Sequence, residues 1–315
     1  MTSYLRRRLF TTIPVVLGVS FVVFMMLHLL PGDPVLMMLT EHRGGTAPSS
    51  STTITQETYD NMEHQLGLDR PLPIQFGDFL WGAVRGDLGE SFRSQEPVVD
   101  VILRNLPNTI RLAFASLGLA LILGLIFGIF SALKRGTWLD GVIMTAAVLG
   151  VSVPSFWLGI MLILVFSLHL GWVPAVGAGR SGIILPAFAL GIGAAALIAR
   201  LVRSSLIDVL NQDYIRTARA KGLGPSMVMI RHALKNGLIP VVTVAGLQFG
   251  NLLGGTVVIE TVFARPGVGH IAVNAILDRD FPLIQGVVLF AALTYVIANL
   301  LVDLVYAWLD PRIKL

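Results

Sequence analysis

The feature that most limits the fold of this chain is a series of long stretches that contain no Lys, Arg, Asp or Glu. Six stretches approach or exceed the roughly 20 residues that a helix needs to cross a bilayer. They cover residues 9–30, 112–133, 141–179, 181–199, 236–259 and 281–302. The sequence therefore predicts an all-α polytopic membrane protein with six transmembrane helices. An alternative with seven helices would leave the two termini on opposite sides of the membrane.

The overall composition excludes several other classes of protein. Hydrophobic residues make up 54% of the chain and charged residues 13%, and that charged share is about half of the share in a soluble domain. This excludes an ordinary soluble enzyme, a disordered chain and a nucleic-acid-binding protein. The chain has no Cys and six dispersed His, so we expect no disulfide, no thiolate ligand and no metal site.

The distribution of basic residues predicts the orientation. With the N-terminus inside, the inner segments carry 14 basic and 4 acidic residues, and the outer segments carry 8 basic and 14 acidic residues. Because loops rich in Lys and Arg stay in the cytoplasm, both termini are predicted to be cytoplasmic. The first stretch follows Arg6, Arg7 and Arg8 but is longer than the apolar part of a signal peptide, so we expect it to remain as the first helix.

Two segments outside these stretches are too long to be simple connections. The first, residues 31–104, is external and carries 11 acidic and 5 basic residues. It contains a Gly/Ser/Thr-rich tract at 44–55, which we expect to be mobile, a helix-like stretch at 56–67, and an apolar part that could form a lid. We interpret it as a docking surface for an external partner, with a plain linker as the alternative. The predicted organisation is a basic start with the first helix (1–30), an external lid (31–104), a core of five helices (105–309) and a cytoplasmic tail (310–315).

The second long segment, residues 200–236, is cytoplasmic in this topology and carries 7 basic and 2 acidic residues. Good helix formers from Asp213 to Lys221 precede Gly222, which favours a left-handed helix end. Pro225 suits the first turn of a second helix. Small residues keep the bend low in profile, namely Ala218, Ala220 and Gly222. An apolar stripe on the second helix consists of Met227, Ile230 and Leu234. The sequence predicts two helices joined by a positively charged bend that a partner could approach; an anchor to anionic lipid is the alternative.

The bend matches a motif of a known family. Tyr214-Ile-Arg-Thr-Ala-Arg-Ala-Lys-Gly-Leu223, with Arg231-His-Ala-Leu-Lys-Asn-Gly-Leu-Ile-Pro240 after it, resembles the cytoplasmic loop of permease subunits of bacterial ABC importers. The general pattern has Glu where Arg216 stands here, and the Pro closer to the Gly; both departures are typical of the peptide-importer branch. Further segments resemble the dipeptide/oligopeptide permeases, namely Leu30-Pro-Gly-Asp-Pro34, Gly86-Asp-Leu-Gly-Glu-Ser91, Pro266-Gly-Val-Gly269 and Arg279-Asp-Phe-Pro282.

The resemblance implies the type I ABC importer permease fold, a place in the bacterial cytoplasmic membrane and a division of labour. The chain would form half of a path for di- or oligopeptides, together with a second homologous permease, two cytoplasmic ATPase subunits that bind ATP and Mg, and an external substrate-binding protein. Glutathione or a nickel chelate is the alternative cargo. No cofactor is expected in this chain itself. The implied ATPase-coupling loop consists of Tyr214, Arg216, Thr217, Ala218, Arg219, Ala220, Lys221, Gly222, Leu223 and Gly224.

Three further features of the membrane stretches concern the path. Glycines spaced four apart allow close helix contacts, and we interpret them as a contact with the second permease, with packing inside the chain as the alternative. They are Gly246, Gly250 and Gly254. Gln248 and Asn251 are candidates for lining the path, because amides in hydrocarbon need polar partners or water. Pro154 predicts a kink and is a candidate hinge.

The sequence contains no motif for catalysis. No Lys is followed by Ser or Thr, so the phosphate-binding loop of ATPases is absent. The Gly-x-Gly-x-x-Gly match at 177–182 lies between two predicted membrane helices rather than after a strand. Ser152 and Ser155 lack the Gly-x-Ser-x-Gly elbow of hydrolases. We therefore predict a transport subunit that is not an enzyme. A carrier driven by an ion gradient is the alternative of another class, although His28 and Glu260 lie only near helix ends.

Overall fold

Helices make up almost all regular structure in the computed structural model of the protein, which describes residues 2–29, 56–65, 69–174 and 181–309. Within these ranges the only β-pairing is an isolated bridge between Glu90 and Pro97. The predicted all-α fold class is confirmed. The tract at 44–55, most of the glycine motif at 177–182 and the tail at 310–315 lie outside the described residues.

Five of the described helices are long and apolar enough to cross a membrane. They are α1 (Thr2–Leu29), α4 (Val98–Leu133), α7 (Ile184–Leu210), α11 (Ile239–Val262) and α13 (Phe281–Leu309). The shorter helices are α2 (Gln56–Gln65), α3 (Leu72–Arg85), α5 (Trp138–Ser152), α6 (Ser155–Leu162), α8 (Asp213–Ala220), α9 (Pro225–Met227), α10 (Leu234–Gly237) and α12 (Val268–Asp278). Two π-helical turns and one 3-10 turn complete the set, at Ile163–His169, Val228–Ala233 and Ser181–Ile183.

The predicted kink at Pro154 is confirmed, and it is a complete break. Helix α5 and the helical run Ser155–His169 meet at an angle of 102°, and both Val153 and Pro154 have extended backbone conformations. Proline lacks the N–H that a helix interior needs, and it disfavours a helical conformation in the residue before it.

By its contacts the chain divides into two compact units. The first comprises residues 1–106 and 271–296, and the second comprises residues 107–270 and 297–315.

The core of the second unit surrounds α7, which runs antiparallel to α11. At one end, a Cβ added to Gly237 would lie 2.7 Å from the Leu206 side chain. At the other end, the Arg265 Nη1 donates a hydrogen bond to the Gly182 carbonyl (3.4 Å). Because Gly237 precedes α11 and Arg265 follows it, these two contacts mark opposite ends of the unit.

The bent pair connects the same two ends. Asp140, in the first turn of α5, contacts Arg203 near the C-terminal end of α7. Gly159, in α6, lies against Phe263 just beyond the opposite end of α11; a Cβ there would be 3.0 Å from the Phe263 ring. The pair therefore counts as one crossing despite its bend, and with the five unbroken helices it gives six crossings in the described part of the chain, the number predicted.

Glycines allow α4 to approach α7 closely in the second unit. A Cβ on Gly124 would lie 2.6 Å from the Ile198 side chain, and one on Gly128 would lie 2.7 Å from the Ala199 carbonyl oxygen. Small residues at helix interfaces permit backbones to approach each other within a membrane. This packing joins α4 to the helix that carries the cytoplasmic segment predicted from the sequence.

In the first unit, α3 packs on the end of α1. Phe76 contacts the rings of Phe21 and Phe24, at centroid distances of 5.5 and 5.3 Å. A hydrogen bond of 3.0 Å joins His28 Nε2 and Gln75 Oε1. Helix α3 ends at Gly86, which has a left-handed conformation (φ +80°). Glycine is the residue that most often ends a helix in this conformation.

The segment after α3 docks on the start of α13, also in the first unit. Asp280 lies directly before α13 and accepts hydrogen bonds from the Ser91 hydroxyl (2.5 Å) and the Leu283 N–H (3.2 Å). Arg93 pairs with Asp278. The Asp280 carboxylate thus caps α13 and also binds the Ser91 hydroxyl. It therefore brings together two motifs noted in the sequence, Gly86-Asp-Leu-Gly-Glu-Ser91 and Arg279-Asp-Phe-Pro282.

Candidate coupling site and path residues

The predicted bend is formed by residues 213–237, called here the basic elbow. Its first helix, α8, ends where Gly222 adopts a left-handed conformation (φ +80°). The Gly222 N–H donates to the Arg219 carbonyl (3.0 Å), and the Leu223 N–H donates to the Ala218 carbonyl (3.3 Å). Glycine adopts this conformation without the steric cost that a Cβ imposes. The predicted helix end is therefore confirmed.

The second arm of the basic elbow differs from a regular helix. Gly224 precedes it and Pro225 occupies its first turn, as predicted, but the turn Val228–Ala233 is π-helical. A π-helical turn holds an additional residue and so changes which side chains face inward. Val228, Met229 and Ala233 are buried, whereas Met227 and Ile230 are 48% and 68% exposed. Two of the three residues in the predicted apolar stripe thus lie on the outer surface.

The inner face of α8 consists of Ile215 and Ala218, which are almost completely buried. Ala218 therefore does not lie on the surface that a partner would meet, in contrast to Ala220 and Gly222. The other residues of the predicted coupling loop are all exposed, namely Tyr214, Arg216, Thr217, Arg219, Ala220, Lys221, Gly222, Leu223 and Gly224.

The outer face of the basic elbow combines positive charge with apolar side chains. Arg216, Arg219 and Lys221 lie within two helical turns, and the ion pair of Arg216 with Asp213 is long (3.7 Å) and exposed. Tyr214 and Leu223 add apolar surface beside them, with exposed fractions of 41% and 36%. Exposed aromatic, aliphatic and arginine side chains are typical of a protein-binding surface. Small residues between them let a partner approach the backbone closely.

One hydrogen bond joins the two arms of the basic elbow, and another fixes the elbow to the rest of its unit. The Asn236 amide donates to the Tyr214 hydroxyl (2.9 Å) and so links the two arms. The Ser205 hydroxyl, on α7, donates to the Gly237 carbonyl (2.8 Å). A force on the elbow would therefore act on α7 and on the start of α11.

A buried carboxylate lies at the same end of the unit and was not recognised from the sequence. Asp140 accepts hydrogen bonds from Arg203 Nε and Nη2 (2.7 Å each), from the Ser131 hydroxyl (2.5 Å) and from the Gly136 N–H (3.0 Å). The Arg203 contact is bidentate, the strongest geometry for such a pair. These bonds join the end of α4 and the start of α5 to α7.

A second buried carboxylate lies at the opposite end of the unit. Glu260 is completely buried, and its Oε2 accepts hydrogen bonds from the Gly269 N–H (2.8 Å) and the His270 N–H (3.4 Å). A Cβ on Gly267 would lie 2.2 Å from the Glu260 carboxyl carbon, and one on Gly269 would lie 2.3 Å from the Val257 Cα. Both glycines are required because the chain folds tightly around the carboxylate.

Residues around this carboxylate connect it to α4. The Val268 N–H donates to the Thr109 hydroxyl (2.9 Å), and the Asn108 amide donates to the Pro266 carbonyl (2.8 Å). Burial lowers the pKa of the nearby Arg265 guanidinium, which nevertheless remains charged at neutral pH because its ordinary pKa is so high. The motif Pro266-Gly-Val-Gly269 is therefore a structural turn between α11 and α12.

The predicted path residues lie on α11. The Asn251 amide donates to the Gln248 amide oxygen at 3.5 Å, and Asn251 is exposed. Leu247 and Val258, on the same side of the helix, are about half exposed, at 51% and 47%. The two amides thus lie beside an open face of the helix, and their role in lining a path stays a prediction.

The three glycines of α11 do not share one environment. Gly250 is buried and Gly246 is half-buried, whereas Gly254 is exposed. A Cβ added to Gly254 would have no neighbour within 4 Å. Of the three, Gly254 offers the most open surface for a second helix, and the contact with another subunit stays a prediction.

Comparison with known proteins gives the family. The model described as "Binding-protein-dependent transport system inner membrane component" matches residues 124–315. The model of the N-terminal part of such membrane components matches residues 1–113. The chain belongs to this family. It is a permease subunit of an ABC importer.

Individual relatives cover the full length of the chain. The glutathione transport system permease protein GsiC of Pectobacterium atrosepticum is 44% identical over 100% of this chain and 99% of the relative. GsiC of Escherichia coli strain K12 is 43% identical with the same coverage. A protein of Brucella abortus is 41% identical over 100% of this chain and 99% of its own length. Its name describes it provisionally as a peptide transport system permease protein.

Solved structures agree with the fold. A chain of the MetNI methionine ABC transporter in an inward-facing conformation has a TM-score of 0.58 at 19% identity, over 68% of this chain and 99% of that chain. A chain of an amino acid ABC transporter has a TM-score of 0.52 at 17% identity, over 66% and 94% of the two chains. The fold is that of type I ABC importer permeases.

Proposed function

We propose that this permease subunit forms half of the path of an ATP-driven importer for small peptides, and that its basic elbow receives the movement of a separate ATPase subunit. The observation that carries the proposal is the exposed, positively charged bend at Gly222, which is firmly attached to α7. An element that couples two proteins must be open to the partner and rigidly joined to the part that moves. The basic elbow meets both requirements.

Di- and oligopeptides are the proposed cargo. The full-length relatives include permeases named for glutathione transport and one named provisionally for peptide transport. Glutathione is itself a small peptide, so one class of substrate accounts for both names. A nickel chelate remains an alternative cargo, and the ligand that co-purifies with the matching binding protein would decide among them.

The proposed assembly contains this chain, a second homologous permease, two ATPase subunits and an external substrate-binding protein. ATP and Mg would bind to the ATPase subunits. We propose that both termini and the basic elbow face the cytoplasm, because this orientation places the larger number of basic residues inside. In the same scheme residues 31–104 form the external segment and 105–309 the transport core.

A carrier driven by an ion gradient needs an ionisable group that can take up and release its ion during transport. Among the described residues of the second unit, two carboxylates are buried, and both are already hydrogen-bonded within the protein. Asp140 forms a bidentate pair with Arg203, and Glu260 accepts two backbone N–H groups. This arrangement favours ATP over an ion gradient as the source of energy.

The central experiment is reconstitution of the complete assembly in vesicles with a labelled peptide. We expect uptake that requires ATP and the binding protein and that persists when proton and sodium gradients are abolished. Uptake by this chain alone, or uptake that follows a gradient without ATP, would overturn the proposal.

The role of the basic elbow can be tested at Gly222. A Gly222→Trp substitution places a bulky side chain on the exposed bend, and we expect ATP hydrolysis that no longer supports uptake. Gly222→Asn is the matched control, because Asn tolerates the left-handed conformation and is much smaller. Wild-type uptake in Gly222→Trp would exclude this bend as the contact with the ATPase.

A further inference from the structure

The first unit contains a helix whose surface is unusual for an external segment. Helix α3 exposes large apolar side chains, including Ile74 (51%), Trp81 (60%) and Val84 (81%), and it contains no buried residue. It packs on the end of the membrane-spanning helix α1 through Phe76. An amphipathic helix with exposed Trp and aliphatic residues, located at the end of a spanning helix, is typical of the membrane interface.

An apolar groove begins at the C-terminal end of α3. Its walls come from α3 and the loop after it, from the first turns of α4 and from α13, and they include Ala83, Leu88, Leu103, Leu289, Phe290 and Leu293. Leu103 and Leu293 are 51% and 40% exposed, so the groove is open at these two walls. The part of α13 that lines the groove, from Leu289 to Leu293, rises roughly 6 Å.

One cation next to this groove has no carboxylate partner among the described residues. Arg85 is adjacent to Gly86, which also lines the groove, and its guanidinium lies 4.6 Å from the centre of the Trp81 ring. Among the described residues no carboxylate pairs with Arg85. By contrast Arg70, at the other end of the helix, is paired with Asp78 (2.9 Å), and Arg104 on α4 is paired with Glu96.

We propose that this groove binds a phospholipid of the outer leaflet, with a segment of one acyl chain against Leu289 to Leu293 and the phosphate next to Arg85. Two walls of the groove belong to the long apolar helices α4 and α13, which favours an acyl chain over a water-soluble protein. The cation stacked on Trp81 is free to contact an anionic phosphodiester. The bound lipid would fix α3 on the membrane and so hold the docked segment 86–97 in place.

The experiment is native mass spectrometry of the complete importer, extracted from nanodiscs of mixed phosphatidylglycerol and phosphatidylethanolamine. We expect one retained phospholipid and a preference of roughly fivefold for phosphatidylglycerol, since a basic residue near the surface contributes about 1 kcal/mol toward anionic lipid. Arg85→Glu should abolish that preference, whereas the control Arg70→Glu should keep it. An unchanged preference in Arg85→Glu would overturn the proposed headgroup contact.

A second pair of variants tests the contact between the acyl chain and the groove. Ala83→Phe fills the groove and should reduce lipid retention itself, whereas Val84→Phe, at the adjacent exposed position, should not. Equal retention in both variants, or equal loss, would overturn the proposal. If Ala83→Phe fails to assemble, the comparison of Arg85→Glu with Arg70→Glu still decides, because both change an exposed side chain.

Two competitors added to the sample test whether the groove binds something other than lipid. Inorganic phosphate should leave the bound lipid in place; its displacement by phosphate would indicate a simple anion site and overturn the proposal. Displacement of the lipid by the binding protein would show that the groove is a protein-docking surface, which would also overturn it. Lipid retention is measured without ATP or cargo. Its result therefore tests the lipid proposal independently of the proposed transport function.

Discussion

Two glycine-containing turns at opposite ends of the second unit have opposite surroundings. At the basic elbow, Gly222 is exposed and a Cβ there would have no neighbour within 4 Å. At the turn between α11 and α12, Gly267 and Gly269 leave no room for a Cβ because Glu260 and Val257 fill the space. The first turn requires glycine for its backbone conformation, and the second requires it for packing. A turn that keeps its surface open can bind a partner, whereas a turn closed around a carboxylate holds its own unit together.

The largest effect on stability is expected for Gly269→Val. Its side chain would overlap the Val257 backbone, and over-packing of a filled site destabilises a protein by roughly 1–3 kcal/mol or more. We expect little folded complex, measured as the yield and thermal unfolding midpoint of the purified assembly. The control is Gly118→Ala, a glycine with open space on α4. A normal yield of Gly269→Val would contradict the tight packing around Glu260.

The next largest effect is expected for Asp140→Asn. The change leaves the Arg203 guanidinium without its counter-charge, and breaking a buried pair costs about 3 kcal/mol at the lower end of the observed range. The lower end applies because the Arg203 side chain is 28% exposed. The measurement is the thermal unfolding midpoint. The exposed Asp208 on α7 provides the control Asp208→Asn, which should change little; an equal effect of both variants would show that the Asp140 network is not specific.

A smaller effect is expected for Gly222→Ala. A left-handed conformation costs an ordinary residue roughly 1–2 kcal/mol, and because the site is exposed we expect a local effect without loss of the fold. Hydrogen exchange of the α8 amides should become faster. Gly224→Ala is the matched control, since Gly224 has a negative φ of −64°. Similar exchange in both variants would indicate that the left-handed conformation does not stabilise the bend.

The smallest effect on the chain itself is expected for Gly254→Leu. Open space surrounds this position, so the unfolding midpoint should not change. If α11 contacts the second permease at Gly254, co-purification of that subunit should decrease. The control is Gly118→Leu, on α4, where a Cβ also has no neighbour within 4 Å. Equal recovery of the second permease in both variants would place the contact elsewhere.

The sequence could predict the local features of the basic elbow. The end of α8 and the start of the second arm agree with the prediction. Both depend on the backbone preferences of single residues, namely the helix formers of α8, Gly222 and Pro225. The π-helical turn at Val228–Ala233 was not predictable from this pattern. It moves Met227 and Ile230 to the outer surface, because the inward-facing side chains are selected by packing against Leu206 and its neighbours.

The carboxylates of Asp140 and Glu260 were visible in the sequence only as charges near the ends of apolar stretches. Asp140 and Arg203 are 63 residues apart, and no local pattern relates them. A weak signal existed for Glu260, because a lone acid precedes the glycines of Pro266-Gly-Val-Gly269. The glycine spacing on α11 was similarly ambiguous, since spacing alone does not decide that Gly250 is buried and Gly254 is open.

The sequence by itself determined that the chain crosses a membrane with helices, and where it bends at Pro154 and Gly222. These features follow from local physics, because backbone groups in hydrocarbon must form their hydrogen bonds within a helix and because proline and glycine act on their own residue. Only the tertiary structure decided which charges pair, which glycines face a neighbour and where α3 leaves an apolar groove open. Those outcomes depend on distances between helices that are far apart in sequence, and the packing of the helices sets those distances.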